Sequence, residues 1–191
     1  MMIPLIILAV LVLYVIFSFN GLVTLRNRAK EAWADIDVQL KRRYDLIPNL
    51  VNTIKGSTNF EQETLTRVVE ARAKATSIQV DPSKVDANTM KMLSASQGEL
   101  SSALGRLMVV SEQYPDLKSS ANFLALQNEL SDTENKIQAA RRFYNGNVRD
   151  LNTKTEVFPS NVIANMFNFT KMEFFDLGTD DAAKNPVEVK F

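Results

Sequence analysis

The chain has no cysteine and no histidine. Without Cys there are no disulfides and no thiolate nucleophiles. Without His, Ser-His-Asp triads and histidine-bearing catalytic zinc or di-iron sites are excluded, and the two absences together remove structural zinc. Any catalysis would have to rest on carboxylates, Lys, Tyr or Ser, a poor kit for proton transfer near neutral pH, where His usually serves. Net charge is missing too: 22 Lys and Arg balance 22 Asp and Glu, so no global basic field draws nucleic acid, and none is expected as a partner. The sequence carries no Gly-rich phosphate loop, Walker motif or EF-hand spacing. Asp35 and Asp37 lie two apart on a helix and do not share a face, and Asp180 and Asp181 fall in an expected tail. No cofactor, metal site or catalytic residue is expected.

What the chain has instead is a long apolar run. Ile3 to Phe19, IPLIILAVLVLYVIFSF, is free of charge, and no charged residue follows until Arg26. As a helix this run covers roughly 25 Å, and its uncharged extension to Leu25 nearly 37 Å, against a hydrocarbon core of about 30 Å. Pro4 sits in the first turn, where a missing N–H costs nothing. There is no basic segment before the run and no small-x-small cleavage site after it, so an uncleaved anchor is expected in preference to a signal peptide. Arg26, Arg28 and Lys30 flank the run on one side only. That asymmetry predicts an N-terminus outside and a cytoplasmic domain on a bacterial-type inner membrane, whose lipid head groups these three residues could also touch.

Beyond the anchor, apolar residues recur in steps of three and four: Leu22, Leu25, Ala29, Trp33, Ile36, Leu40, Tyr44, Ile47, Val51 and Ile54, up to Gly56. If this helix continues the anchor, Asn20 and Gly21 are its one flex point. A second helix opens at Thr58, spaced from Glu61 as in a capping box, and runs through Leu65, Val68, Arg72, Ala75 and Ile78. After the loop 80–89, a third carries Met90, Leu93, Gln97, Leu100, Leu104, Leu107 and Tyr114 and is ended by Pro115, with Gly98 and Gly105 suggesting close helix approach. A fourth starts near Ser119 or Ser120 and runs through Phe123, Leu130, Ile137 and Tyr144 to Leu151. Ser160 is the expected N-cap of a short helix over Val162, Ile163 and Met166. The expected architecture is all-α: a transmembrane anchor (1–21), a long-helix antiparallel four-helix bundle with a short C-terminal Phe-rich helix (22–177), and a flexible tail (178–191) ending in the strand-like VEVKF.

Three groups of residues stand out. In KRRYDLIPNL, residues 41–50, the stripe stays in phase across Pro48. A kinked but continuing helix is therefore expected, its freed Tyr44 carbonyl met by Asn49 or by a donor on a facing helix. Arg43 falls at the edge of the stripe, Arg42 and Asp45 beside it, and Glu134 and Arg141 occupy similar edges of the fourth helix, with Asn135 and Arg142 adjacent. A charge at a bundle seam must be paired or wet, so an ion pair from Arg42 or Arg43 to Glu134 is expected, with a solvated face as the alternative. Lys41, Arg42 and Arg43 lie about 30 Å past the membrane exit, too far for lipid at physiological salt. Lastly, Phe158, Phe167, Phe169, Phe174 and Phe175 must be covered, by the end of the bundle or by a partner or membrane surface.

The residues at this point resemble the LemA family: LRNRAKEAWADIDVQLKRRYDLIPNLVNTIKG (25–56), EARAKA (70–75), YPDLKSSANFLALQNELSDTENKIQAARRFYNGNVRDLNT (114–153) and FPSNVIANMFNF (158–169). The RRxDLIPNL and TENxIxxARxxYN patterns, the latter taking in Tyr144 and Asn145, are the specific ones. The resemblance implies an N-terminally anchored, mainly helical bundle of the bacterial cell envelope with no established enzymatic activity. Some members resemble lipoproteins with an N-terminal Cys, which this sequence lacks. The expected function is a non-enzymatic scaffold or assembly protein, held to the lipid bilayer by its anchor and associating as a homo-oligomer or with other envelope proteins. Direct shaping or sensing of the bilayer through the Arg26–Lys30 flank and the Phe cluster is the alternative, and a hydrolase using Glu134 or Asp45 ranks last.

Overall fold

In the computed structural model, residues 2–56, 60–81 and 86–176 are described; their regular structure is all helix, with no strand among them. The expected capping partner Thr58 and the tail 178–191 with its VEVKF segment lie outside these residues. The elements are α1 (Met2–Lys55), α2 (Gln62–Thr76), α3 (Ala87–Ser111), α4 (Pro115–Lys118), α5 (Ala121–Glu156) and α6 (Ser160–Met166).

The 54 residues of α1 make one helix about 80 Å long. It passes through Asn20 and Gly21 without a break and continues through Pro48, whose exposed ring points away from the core. Its stretch up to Phe17 is apolar and almost wholly exposed: Leu5, Ile6, Leu8, Leu11 and Phe17 each show more than half of their surface. One helix in the described structure is thus long and apolar enough to cross a membrane, and it lies at the N-terminal end. Burial begins at Ser18 and Leu22 and then widens beyond a single stripe, because the distal half of α1 faces α5 on one side and the α2–α3 pair on the other. Ala32 and Leu46, off the expected stripe, and Arg43 and Leu50, at its edge, are buried for that reason.

Antiparallel pairing of α1 with α5 follows from its end points: Leu22 shares a cluster with Leu151, and Arg43 reaches Glu134. α2 runs back along α1 and antiparallel to α3, with Phe60 stacked on Tyr114 at one end and Lys74 paired with Glu99 toward the other. Three apolar clusters result. The distal one joins α1, α2, α3, α4 and α5 around Leu50, Ile54, Val68, Leu100 and Phe123. The middle one gathers Trp33, Ile36, Met90, Ile137, Tyr144 and Phe175. The third, nearest the anchor, joins Leu22, Leu151, Ile163, Ala164 and Phe169. Each fully buried Leu, Ile or Phe contributes on the order of 1.5–3 kcal/mol to this packing.

Several local expectations are corrected. α2 starts at Gln62, with Glu61 at the cap position and accepting from the Thr64 hydroxyl at 3.0 Å. The 80–89 loop closes earlier, because Asp86 caps α3 through the Thr89 N–H at 2.7 Å. That contact and the Thr89 hydroxyl hold the Asp86 carboxyl below its ordinary pKa. Pro115 does not end α3; α3 stops at Ser111, and Pro115 opens α4 as its first residue, where proline's fixed φ suits a helix start. Gly105 is not a close-approach site, since a Cβ there would meet nothing within 4 Å. Ser160 is the first residue of α6 rather than its cap, and its hydroxyl donates backward to the Lys154 and Val157 carbonyls at 2.7 and 3.0 Å.

α6 ends in a Schellman motif. Asn168 adopts φ 55° in the left-handed region, the Phe169 N–H reaches the Ala164 carbonyl at 2.8 Å and the Asn168 N–H reaches that of Asn165 at 3.3 Å. The reversal throws Phe169 onto Leu22 and Leu151 and sends residues 170–176 back along the α1–α5 groove. The Phe-rich segment is therefore a strap along the bundle, not a lid on its end. Phe169 and Phe175 are buried under it, Phe167 and Phe174 are about half exposed, and Phe158 is 81% exposed.

Candidate functional site at the polar seam

The least expected group in the core is a guanidinium. Arg43, placed by periodicity at the edge of the α1 stripe, is 1% exposed. Its Nη1 donates to Glu134 on α5 at 2.6 Å and to Ser101 on α3 at 3.0 Å, while Nη2 donates to the Gln97 side-chain oxygen. The Gln97 amide nitrogen in turn donates to the Tyr44 hydroxyl. One arginine thereby ties α1 to α3 and α5 at a single level. Only its Nε lacks a hydrogen-bond partner among the described residues. Burial raises the Tyr44 pKa, against the opposing pull of the Gln97 amide and the Arg43 charge. Arg42, half exposed, reaches Glu129 at 3.4 Å, a surface pair worth under about 1 kcal/mol.

One turn on, Pro48 has no N–H to give to the Tyr44 carbonyl. The Arg72 Nε of α2 supplies the missing donor at 2.8 Å, so the facing helix, and not Asn49, compensates the proline. Asp45, Pro48 and Asn49 are exposed, as is Asn135 on α5.

A second polar array fastens the strap. Asn145 on α5 donates to the Phe175 carbonyl and accepts from its N–H, both at 2.9 Å, and Asn152 does the same with Met172, again at 2.9 Å. The spacing fits: seven helical residues rise about 10.5 Å, and three extended residues span about 10 Å. Between them the buried Tyr144 hydroxyl donates to the Glu173 carbonyl at 2.9 Å, and its ring meets Trp33 edge-on at 5.2 Å. Burial, reinforced by the Glu173 carboxylate, pushes the Tyr144 pKa well above its ordinary value. Arg141, nearly buried, points Nη1 toward Asp176 at 4.0 Å. Arg142 is exposed beside it, and both line a 460 Å³ cleft with Arg149 and Asp176.

At the other end of the strap, Arg26 lies over the Phe169 ring at 4.9 Å, while Arg28 is exposed and Lys30 partly buried. A 520 Å³ cleft bounded by Trp33, Asp37, Lys41, Tyr44, Thr76 and Gln79 brings together one carboxylate and one ammonium. Among the described residues no group of three or more acidic side chains could hold a metal ion.

Arg72, Gln97, Asn152 and Ser101 were not singled out from sequence as site residues. Arg72 and Gln97 sat in the apolar phase of their helices, and a polar residue in that phase signals an inward hydrogen bond. Asn152 repeats Asn145 after seven residues, two turns along the same face. Ser101 carried no signal of its own.

The LemA family sequence profile matches residues 32–191, which take in both arrays. The chain is 31% identical over 156 residues to "Protein LemA" of Metamycoplasma hominis, a match covering 82% of this chain and 68% of that protein. It is 24% identical over 177 residues to the magnetosome protein MamQ of Magnetospirillum gryphiswaldense and to MamQ 2 of Paramagnetospirillum magneticum, in each case covering 84% of this chain and 65% of the relative. The chain thus spans about two thirds of the length of these relatives. On the profile and the 31% identity together, the chain belongs to the LemA family.

Proposed function

We propose that the protein is a single-pass membrane-anchored scaffold of the bacterial cell envelope, non-catalytic, acting by association with copies of itself and with other envelope proteins. The observation that carries this reading is the continuity of α1: one helix serves as the apolar anchor and as the longest member of the bundle. A domain built on such a helix holds its binding faces at a fixed height and direction from the bilayer. We read α1, α2, α3 and α5 as an antiparallel four-helix bundle on the cytoplasmic side, with the N-terminus outside, a reading that the one-sided Arg26, Arg28 and Lys30 flank supports. The strongest charges at its centre work inward: Arg43 holds three helices together, and Arg72 completes the backbone of α1.

Chemical crosslinking and size analysis of the full chain in mild detergent test this. An oligomer or a stable complex is expected, and a clean monomer that brings down no partner contradicts it. A second reading, direct action on the bilayer, is favoured by the apolar outer face of α6.

A further inference from the structure

We infer that α6 and the turn before it dip into the membrane interface beside the anchor, forming a second lipid contact of the domain. The inference rests on the anchor reading of α1.

The antiparallel register that brings Leu151 to Leu22 and Glu134 to Arg43 carries the end of α5 on to the level of Phe17–Phe19, inside the uncharged run. α6 follows at that level and packs its inner face, Ile163 and Ala164, into a cluster reaching Val15 and Phe19, while the Phe167 ring lies 4.8 Å from that of Phe19. About 20 helical residues span the hydrocarbon, so a span starting near Met2 places Val15 and Phe19 in its last turns. A group packed against them cannot be in bulk water.

The outer face has the composition that this position demands. Val162 and Met166, one turn apart and opposite Ile163 and Ala164, are 50% and 64% exposed, and Phe158 just before them is 81% exposed. From Val157 to Thr170 there is no charged residue. The charges bracketing this stretch, Glu156 and Lys171, neutralise each other in an ion pair. Arg26, the first charge after the anchor, lies on Phe169 and marks the head-group level, with Phe167 and Phe19 on the bilayer side of it. An apolar helix face lying in this plane inserts about 5–10 Å, into the boundary between head groups and acyl chains.

The chain has no native cysteine, so single labels can be placed without background. Full-length Phe158→Cys, Met166→Cys, Val10→Cys and Val38→Cys proteins, each carrying an NBD fluorophore, are reconstituted into phosphatidylcholine–phosphatidylglycerol vesicles containing lipids with a doxyl quencher near the head group or near the chain end. All four native side chains are exposed, so the fold is expected to survive labelling. The labels at 158 and 166 are expected to emit blue-shifted from that at 38 and to lose most of their emission to the shallow quencher, with the label at 10 responding to the deep one. Labels at 158 and 166 that behave like that at 38, while that at 10 is quenched, leave the anchor intact and overturn the inference. A blue shift at 158 and 166 without quenching means that a protein surface covers α6, which also overturns it. Loss of quenching at 10 sinks the anchor reading and the inference with it.

Discussion

The Arg43–Glu134 pair can be taken apart one side at a time, and its asymmetry sets the expected energies. Arg43 is fully buried, whereas the Glu134 side chain is 37% exposed. Removing the partner of a buried charge costs about 3–5 kcal/mol when the survivor has no water. In Glu134→Gln the amide oxygen can still accept one bond from Nη1, and solvent lies close, so about 2–3 kcal/mol is expected. In Arg43→Met the helix keeps an apolar chain of similar reach, but the Gln97 and Ser101 acceptors lose their donor, at about 1–3 kcal/mol each before any gain from removing a buried charge. The single cost should thus fall near 3 kcal/mol, a loss of about 6–12 °C in melting temperature for a chain of this size. The double variant should cost at least about 1.5 kcal/mol less than the sum of the singles, since Glu134→Gln strands the buried Arg43 and that cost disappears once Arg43 is removed as well. Thermal unfolding of the full-length proteins in detergent, followed by far-UV circular dichroism, measures all four corners. A coupling below about 0.5 kcal/mol would mean that packing alone holds Arg43 and that the ion pair is screened, and the reasoning would fail.

Further consequences follow from the other contacts. Arg72→Met should cost about 1–2 kcal/mol in the native sequence but clearly less in a Pro48→Ala background, where the restored helical N–H takes over the Tyr44 carbonyl; equal costs in urea titrations would separate Arg72 from the proline. Asn152→Ala should free the strap at Met172 and speed amide hydrogen exchange at residues 172–175 while leaving α3 unchanged, and unaltered exchange would show that Phe169 and Phe175 suffice to hold it. Tyr44 and Tyr144 both hold their protons more tightly in the folded state than in the unfolded one, so their stabilisation is complete below about pH 10 and is lost as pH climbs above it. Urea midpoints should therefore fall less steeply above about pH 10 in Tyr144→Phe than in the native protein, and parallel profiles would contradict the shift.

The sequence and the structure part company where a residue's surroundings come from two neighbours at once. Steps of three and four located α1, α2, α3 and α5 because each buries at least one continuous face, and that pattern needs only one partner. Arg43 looked like an edge residue for the same reason: against a single partner helix it is at the edge, and only a third helix turns the edge into an interior. The pairing of Arg43 with Glu134 was nevertheless readable, because a charge at that phase must find an opposite charge or water. The donor for the Tyr44 carbonyl was foreseeable as a need but not as a residue, since spacing along α1 says nothing of which α2 side chain lies across from it. The strap was illegible. Its Phe residues follow neither helical nor strand period, and its path is fixed by the left-handed turn at Asn168 and by two asparagines on α5. α4 escaped notice because four residues are too few to show a period.

The scaffold reading requires that anchor and bundle move as one body, and a distance across their junction tests that directly. Spin labels at Val10→Cys and Val38→Cys, both exposed on α1 on either side of Asn20 and Gly21, lie about 42 Å apart along an unbroken helix. Double electron–electron resonance on the full-length protein in lipid nanodiscs is expected to give a single narrow distribution near that value. A broad distribution, or one centred well below it, would place a hinge at the membrane surface and contradict the rigid coupling on which the proposed function stands.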